Sequence, residues 1–462
     1  MSVVLNPDIF RAYDIRGVAE RDLTTESVVP IADSFADMLV SAGSQDVALG
    51  RDVRATSPRI AEVFRQALSS AGLQVYDLGI VSTPMLYYGV SRFQRGGGVM
   101  ITASHNPSPD NGLKLLINDV ALSGDRIQEI YQGALKGRRN EADGGAVHST
   151  DILDTYVTEL AEQARLGSRS LKVAIDGGNG MSGPSITRLL DRLGVEHIDL
   201  YCDPDGDFPN HHPDPTQLDT LVDLQRTVLE HGCDLGLAFD GDGDRIGVVD
   251  EAGRVVHGDR LVIIFAREIL KEVPGARIVG EVKCSDTLFS MIKKWGGDPI
   301  MSRVGHSFIK ATLREQGALL AGEMSGHMFF KHRYYGFDDA VYAAMRLLEI
   351  ASNIPDDVPF SSLLSDVPQT VTTPEIRVDC PDAHKFAVVD TVISHFRAIR
   401  PVEDIDGARV RFDQGWGLVR ASNTQPVLVL RFEAASDSEL NAYQSEIMEV
   451  VTAAISACVD SV

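Results

Sequence analysis

Cysteine, positive charge and long apolar runs are scarce in this sequence, and each scarcity excludes something. The five cysteines (Cys202, Cys233, Cys284, Cys380 and Cys458) lie far apart, with no C-x-x-C and no His-rich partner spacing. That pattern argues against a zinc site and against a disulfide framework, and it points to a reducing cytoplasm. Lys and Arg number 43 against 66 Asp and Glu, a formal net charge of −23. That balance argues against non-specific nucleic-acid binding, and it leaves room for an anionic substrate given a local basic cleft to override the global field. No apolar stretch approaches membrane-spanning length; Leu261–Ala266 is among the longest and reads as buried core. The opening MSVVLNPDIFRAYDIRG has no basic n-region and no cleavage-type segment, so no signal peptide is expected.

What is present is an ordinary globular composition, 44% hydrophobic and 24% charged, in 462 residues. That length is too great for one hydrophobic core and predicts two to four domains. Strand and helix signals alternate through the first two-thirds, the pattern of α/β domains. A strand at Asp46–Asp52 is followed by Ser57-Pro58, read as an N-cap and a first-turn proline. Ile60, Val63, Phe64 and Leu68 then fall at helical spacing, and Gly72 precedes a strand at Gln74–Leu78. A second set comprises Lys172–Asp176, a helix near Pro184–Leu193, His197–Tyr201, a helix around Leu218–Leu229 and Asp234–Phe239. A third comprises Arg277–Lys283, Asp286–Trp295, Pro299–Val304, Ser307–Gln316 and Leu319–Ala321. Polar, Gly-rich Arg138–Ser149 reads as a linker; further boundaries are expected near the turn Glu251–Arg254 and within Pro355–Pro374. Beyond them, short strands at Ile376–Val378, Arg409–Phe412 and Val427–Phe432 between two helices read as a small α+β domain.

The stretch Asp240-Gly-Asp242-Gly-Asp244-Arg245 lies between the apolar strands LGLAF and IGVV, in a loop whose glycines let the backbone turn sharply. Carboxylates at alternate positions repel by about 4 kcal/mol per pair at ~4 Å and an effective dielectric near 20. A cation is therefore expected among them, and a few hard oxygen ligands suit Mg²⁺. A solvated acidic turn would explain a lone D-x-D, not three Asp between buried strands. An EF-hand loop would place Glu251 at its twelfth position, but Arg245 stands where that loop needs Gly, and strands rather than helices flank it.

Thr102-Ala103-Ser104-His105-Asn106-Pro107 follows another apolar strand. Adjacent Ser and His do not make a nucleophile–base pair, and there is no G-x-S-x-G. Beside an Asp-rich metal loop, however, Ser104 reads as a phosphate carrier whose dianion completes the metal's oxygen shell. Gly178-Asn179-Gly180-Met181-Ser182-Gly183 matches G-x-G-x-x-G, with Asp199 some way beyond, and reads better as a packed strand–helix turn than as a dinucleotide site. Gly322-Glu323-Met324-Ser325-Gly326-His327 offers a carboxylate, a hydroxyl and an imidazole suited to sugar hydroxyls. Arg420-Ala421-Ser422-Asn423-Thr424-Gln425-Pro426 offers a guanidinium, hydroxyls and an amide suited to a phosphate monoester.

In this order and spacing the four loops resemble those of the α-D-phosphohexomutase family, and Phe10–Gly17 (FRAYDIRG) resembles its N-terminal signature. The likeness covers essentially the whole chain and is closest to the bifunctional phosphomannomutase/phosphoglucomutase branch, especially through Gly326–Ala343. It implies three related α/β mixed-sheet domains and a smaller α+β C-terminal domain around a central cleft. The expected domains are 1–150 with the phosphoserine loop, 151–254 with the metal loop, 255–367 with the sugar loop and 368–462 with the phosphate loop. It implies phospho-Ser104, Mg²⁺ held by Ser104, Asp240, Asp242 and Asp244, and Arg245 facing the reacting groups. Lys114 and His306 match proposed acid/base positions, and Tyr13, Arg16, Lys283 and Arg303 would line the cleft. Glu323, Ser325 and His327 would contact the sugar, with Arg420, Ser422, Asn423 and Thr424 on the distal phosphate.

The implied reaction interconverts hexose 1- and 6-phosphates of mannose or glucose through a hexose 1,6-bisphosphate, with a small phosphosugar as the partner and neither nucleic acid nor membrane. The oligomeric state stays open, a monomer slightly favoured. Gln425 and His332-Arg333-Tyr334-Tyr335 depart from the family pattern away from the reacting groups. A phosphoglucosamine mutase is argued against by Met324 and by Asn423-Thr424. A metal-dependent sugar phosphatase is argued against because hydrolysis would empty the serine at each turnover, and a non-catalytic binder by the intact Ser104 and Asp loop.

Overall fold

The computed structural model describes residues 5–137, 141–422 and 425–459. It divides into two compact units, one running to Leu261 and including Ser325–Leu363, the other comprising Val262–Met324 and the chain from Leu364 onward. Three α/β domains and a smaller α+β C-terminal domain make up the chain, as expected, and the last carries a six-stranded sheet.

The first unit contains two sheets. In the first, Gly97–Ile101, Asp46–Arg51, Gln74–Ile80 and Ala146–Ser149 run parallel, and Asp110–Ile117 and Ile15–Val18 complete the other edge antiparallel. Helix Ser57–Ser70 forms because Ile60, Ala61, Phe64, Ala67 and Leu68 recur every three or four residues and bury together against that sheet. Its expected N-cap differs: Ser57 lies within the helix and its hydroxyl donates to Asp52 instead. The last four residues of the expected linker are not loose chain, since Ala146–Ser149 pairs in register with Gln74–Asp77; Arg138–Asn140 lie outside the described residues.

In the second sheet Leu235–Phe239, Lys172–Asp176 and Glu196–Leu200 are parallel, and Ile246–Asp250 returns antiparallel on Leu235–Phe239. The turn after Asp250 leads to Val255–Val256, which pairs back on Ile246–Asp250. The expected helix around Leu218 begins as a 3₁₀ turn, Leu218–Leu221, and becomes α-helical only at Val222–His231.

In the second unit Asp298–Ser302, Arg277–Glu281 and Leu320–Gly322 are parallel. The C-terminal sheet is antiparallel and carries helices Lys385–Arg397 and Asp437–Val459. One of its central strands, Gly415–Ala421, was not expected. Gly417 belongs there because a Cβ would come within 2.5 Å of Ile447 on the C-terminal helix. As a result Arg420 and Ala421 stand at a strand end, and the expected phosphate loop proper starts at Ser422. The Ser104, Asp240 and Glu323 loops each leave the carboxyl end of a parallel strand, the usual position of ligand loops in α/β sheets.

Candidate active site

In the first unit, the loop after Gly97–Ile101 meets the loop joining Leu235–Phe239 to Ile246–Asp250. Ser104 adopts φ = +50°, a left-handed conformation that costs a non-glycine residue about 1–2 kcal/mol. Its hydroxyl donates to Asp240 Oδ2 at 2.7 Å and lies 3.1 Å from His105 Nδ1. The other oxygen of Asp240 accepts the backbone N–H groups of Gly243, Asp244 and Arg245, each at 3.0 Å. Gly243 at φ = +83° makes that turn possible. Its neighbour Gly241 has no room for a side chain, because a Cβ would lie 2.4 Å from the Ser104 carbonyl oxygen.

All three carboxylates are buried, and one oxygen from each lies within 4.8 Å of the others. The structure supplies a cation of its own. Lys114 Nζ donates to Asp242 Oδ2 and Asp244 Oδ2, both at 2.6 Å. Burial opposes charge on Lys114, yet the two carboxylates hold its ammonium well above the usual lysine range. Asp244 Oδ1 lies 3.1 Å from His327 Nε2. Arg245 Nε lies 3.4 Å from that same ring nitrogen, which cannot both donate and accept; the shorter contact makes it a donor to Asp244. Burial works against the Asp244 carboxylate, but Lys114, His327 and Arg245 together hold it well below the ordinary range. Asp240 goes the other way, pushed well up by burial and by its two neighbours.

These residues fit a hard divalent cation. One ammonium does not balance three buried carboxylates, and the buried Asp242 Oδ1 has no hydrogen-bond partner. Asp242 Oδ2 is fixed by Lys114 and by the Thr83 hydroxyl, which leaves Oδ1 as the oxygen available to a metal.

The Gly178–Gly183 segment is the packed turn that its sequence suggested. Met181 N–H donates to the Gly241 carbonyl, and a Cβ on Gly180 would come within 2.8 Å of that oxygen, so the small residues let this turn back the Asp loop. Tyr13 is half-buried, and Arg16 donates to Asn106 Oδ1 in the serine loop at 2.8 Å. Ser325 Oγ lies 3.0 Å from His327 Nδ1. Within the departing stretch, Arg333 is tied to Glu349 and Tyr335 to Glu159.

Three contributors escaped the sequence reading. Arg54 donates to carbonyls of the serine loop, Thr83 orients Asp242, and Asp214 lies 3.7 Å from Arg245. Burial opposes the Asp214 carboxylate, but Arg245 and His105 bring it down to about 2. None carries a local signal, since each acts on residues distant in the chain.

The second unit gathers another group. Lys283 donates to Glu375 at 2.7 Å, and Glu281 accepts the backbone N–H groups of Lys283 and Met324. Glu323 accepts the Gly305 N–H at 2.9 Å. Arg303 stacks over Phe308, and His306 opens the helix His306–Glu315. Asp406, also missed, accepts both Arg420 Nε and the Val304 N–H, which ties these two segments together. Ser422 Oγ accepts the Gln425 N–H; Asn423 and Thr424 lie outside the described residues.

Four family descriptions match along the chain. "Phosphoglucomutase/phosphomannomutase, alpha/beta/alpha domain I", domain II and domain III match residues 7–141, 154–253 and 257–371, and the C-terminal domain matches 375–450. A phosphomannomutase/phosphoglucomutase of Pseudomonas syringae pv. tomato is 44% identical over 96% of this chain and 94% of its own. A phosphoglucomutase of Neisseria gonorrhoeae is 41% identical over 96% of both. The crystal structure of a phosphoglucomutase/phosphomannomutase family protein from Burkholderia thailandensis superposes with a TM-score of 0.90, at 39% identity over 98% of each chain. The chain belongs to the α-D-phosphohexomutase (phosphoglucomutase/phosphomannomutase) family and is closely related to its bifunctional members.

Proposed function

We propose that the protein interconverts hexose 1-phosphate and hexose 6-phosphate, of mannose, glucose or both, by passing a phosphoryl group through Ser104. Phospho-Ser104 gives its phosphoryl group to the free hydroxyl of the substrate, the serine Oγ–P bond breaking as the sugar O–P bond forms. The resulting hexose 1,6-bisphosphate turns end for end and returns its other phosphate to Ser104. The observation that carries this reading is the Ser104 hydroxyl 2.7 Å from Asp240, inside a buried cluster with more carboxylates than cations.

Asp240, Asp242, Asp244 and the Ser104 phosphate would hold Mg²⁺, which when bound offsets charge on the phosphoryl oxygens. Lys114, kept protonated by two carboxylates, suits a proton donor or an electrostatic partner to the transferring group better than a base. His306 is then the better candidate for accepting the substrate's proton. Arg245 would face the phosphoserine and the reacting hydroxyl, with Arg16, Lys283 and Arg303 supplying positive charge for the phosphates and Tyr13 a hydroxyl. Glu323, Ser325 and His327 would contact the sugar, and Arg420, Ser422, Asn423 and Thr424 the distal phosphate. A grip on the 3- and 4-hydroxyls serves both orientations of the sugar and leaves C2 loosely read.

The same reading assigns the regions 1–150, 151–254, 255–367 and 368–462 to the phosphoserine, metal, sugar and phosphate loops. No described helix is long and apolar enough to cross a membrane. The five widely spaced cysteines and the acidic charge support a cytoplasmic enzyme that does not bind nucleic acid; its oligomeric state stays open, with a monomer slightly favoured.

Intact-mass measurement tests the proposal. A single phosphate adduct should be present, or loadable by a hexose bisphosphate, and should be absent in Ser104→Ala; a wild-type serine that cannot be loaded refutes it. Coupled assays with mannose, glucose and glucosamine phosphates side by side then rank the sugars.

A further inference from the structure

Arg54 is a buried arginine, far in sequence from every loop the chemistry invokes, and it belongs to none of the motifs that mark the family resemblance. Its side chain is fully buried. NH2 donates to the carbonyls of Ser104 at 2.8 Å and Asn106 at 2.6 Å. NH1 donates to the carbonyls of Pro107 at 2.7 Å and Asp110 at 3.0 Å. Nε donates to Asp52 Oδ2 at 3.1 Å. A guanidinium has five N–H donors in a fixed planar fork, and here all five are committed, four of them to one stretch of backbone.

Asp52 aims the fork. One of its oxygens takes Nε, and the other accepts the Arg54 N–H and the Ser57 hydroxyl. On the outer side the ring of Phe208 lies 5.1 Å from the guanidinium, and a Cβ on Gly206 would collide with Arg54 Cα at 2.8 Å. The arginine is thus held rigidly from behind, as a group that must place something else accurately would be.

What it holds is the backbone on which Ser104 sits at positive φ. That conformation is disfavoured for a residue with a Cβ, so it persists only where the surroundings impose it. Within the loop, backbone bonds from Asn106 to Ala103 and from Asp110 to Pro107 shape local turns. Arg54 is the group that gathers the carbonyls of both turns at one point.

Building on the carrier reading of Ser104, we propose that Arg54 is the positioning residue of the phosphoserine loop. By collecting the carbonyls of Ser104, Asn106, Pro107 and Asp110, it fixes the serine oxygen against the Asp loop and keeps the phosphoserine in line for transfer and out of reach of water. It touches no reacting atom and acts only through the loop.

The test is Arg54→Lys, whose single ammonium has three donors and cannot span four carbonyls. The expected result is a kcat lowered about 10²-fold, the scale of a misplacement near 1 Å, with KM for the hexose phosphate little changed. In the absence of substrate, phosphate should leave Ser104 faster, as read by intact mass. Leu189→Ala, a core truncation beneath the second sheet, serves as the stability control. At a matched loss of melting temperature it should keep wild-type kcat and phosphoserine lifetime.

Should Arg54→Lys fail to fold, Asp52→Asn loosens the fork without removing it and should move kcat and phosphoserine lifetime the same way by a smaller factor. Equal loss of kcat in Arg54→Lys and Leu189→Ala, or wild-type kcat and lifetime in Arg54→Lys, would overturn the proposal. A wild-type Ser104 that never carries phosphate would overturn the carrier reading itself, and with it this one, whatever Arg54→Lys does.

Discussion

One group of charged side chains in the first unit and one in the second differ both in burial and in balance. In the first unit the buried Asp242 and Asp244 share the Lys114 ammonium beside a third buried carboxyl, Asp240, with His327 on Asp244. In the second unit, Arg409 and Arg411 face Asp286 and Glu403. There Arg409 also lies over the Trp416 ring at 4.0 Å and donates to the Cys284 carbonyl. The second group is matched in charge, two cations to two carboxylates, and its buried Arg409 Nε and Glu403 Oε2, neither with a hydrogen-bond partner, face each other at 3.9 Å. The first holds more negative charge than the chain neutralises, together with a buried oxygen, Asp242 Oδ1, that has no partner. A fold keeps such an imbalance when something else completes it.

Substitutions that spare one group and break the other should separate these two logics. The largest loss of stability from a substitution is expected at the matched group. Arg409→Met leaves the half-exposed Asp286 and Glu403 to Arg411 alone and the Cys284 carbonyl without its donor, and should destabilise the protein by about 2–3 kcal/mol in urea denaturation, while the response to Mg²⁺ survives. A protein as stable as wild type would mean that the arginine is not structural.

Asp240→Asn should do the reverse. Loss of one electrostatic group at a phosphoryl-transfer centre lowers kcat by about 10²–10³-fold, while stability without metal should hold or rise, because burial and the charges of Asp244 and Asp242 already push the Asp240 carboxyl well up. A marked fall in metal-free stability would mean that the three Asp are not in mutual conflict.

A buried carboxylate compensated only by neutral donors provides the scale between these extremes. Asp339 accepts the hydroxyls of Tyr156 and Tyr334 and the Tyr342 N–H, and burial pushes it up to about 6 from 3.8. The unfolded chain therefore releases this proton first as pH rises. Asp339 should subtract about 3 kcal/mol of stability between pH 4 and pH 6, and nothing further above that. Denaturation midpoints across this window should fall less steeply in Asp339→Asn than in wild type; parallel curves would contradict the assignment.

The smallest effect is expected at Thr83, which touches the carboxylate and not the metal site. Thr83→Val should weaken Mg²⁺ binding about 10–100-fold in calorimetry. An unchanged affinity would mean that Asp242 is oriented by Lys114 alone.

Legibility in the sequence followed how locally each feature is encoded. The Asp loop could be read directly, because alternating carboxylates between the apolar runs LGLAF and IGVV conflict within six residues. Ser104 became legible only beside that loop, since its own hexapeptide is an ordinary polar turn. The alternating strand and helix signals made the α/β architecture readable, with element ends off by a residue or two. The strand Gly415–Ala421 was not readable: its glycines lower strand propensity, and the reason for Gly417 lies in the helix packed on it.

Arg54 and Thr83 were invisible for a different reason. Their partners Ser104 and Asp242 lie 50 and 159 residues away, and neither residue has a neighbour in sequence that marks it. Lys114 was placed as an acid or base, and the fold adds that it is the internal counter-charge of the metal loop. The sequence argument that the three Asp require a cation was right in kind; part of that cation is supplied by the chain itself.

The central claim is that the unbalanced Asp loop makes Ser104 a phosphate carrier. The direct measurement is to load dephosphorylated protein with a hexose 1,6-bisphosphate, with and without Mg²⁺, and read the phosphate by intact mass and its position by peptide mapping. Wild type should gain one phosphate on Ser104 only when Mg²⁺ is present, and Asp242→Asn should gain it far more slowly. Phosphate on another residue, or equal loading without metal and in Asp242→Asn, would contradict the account.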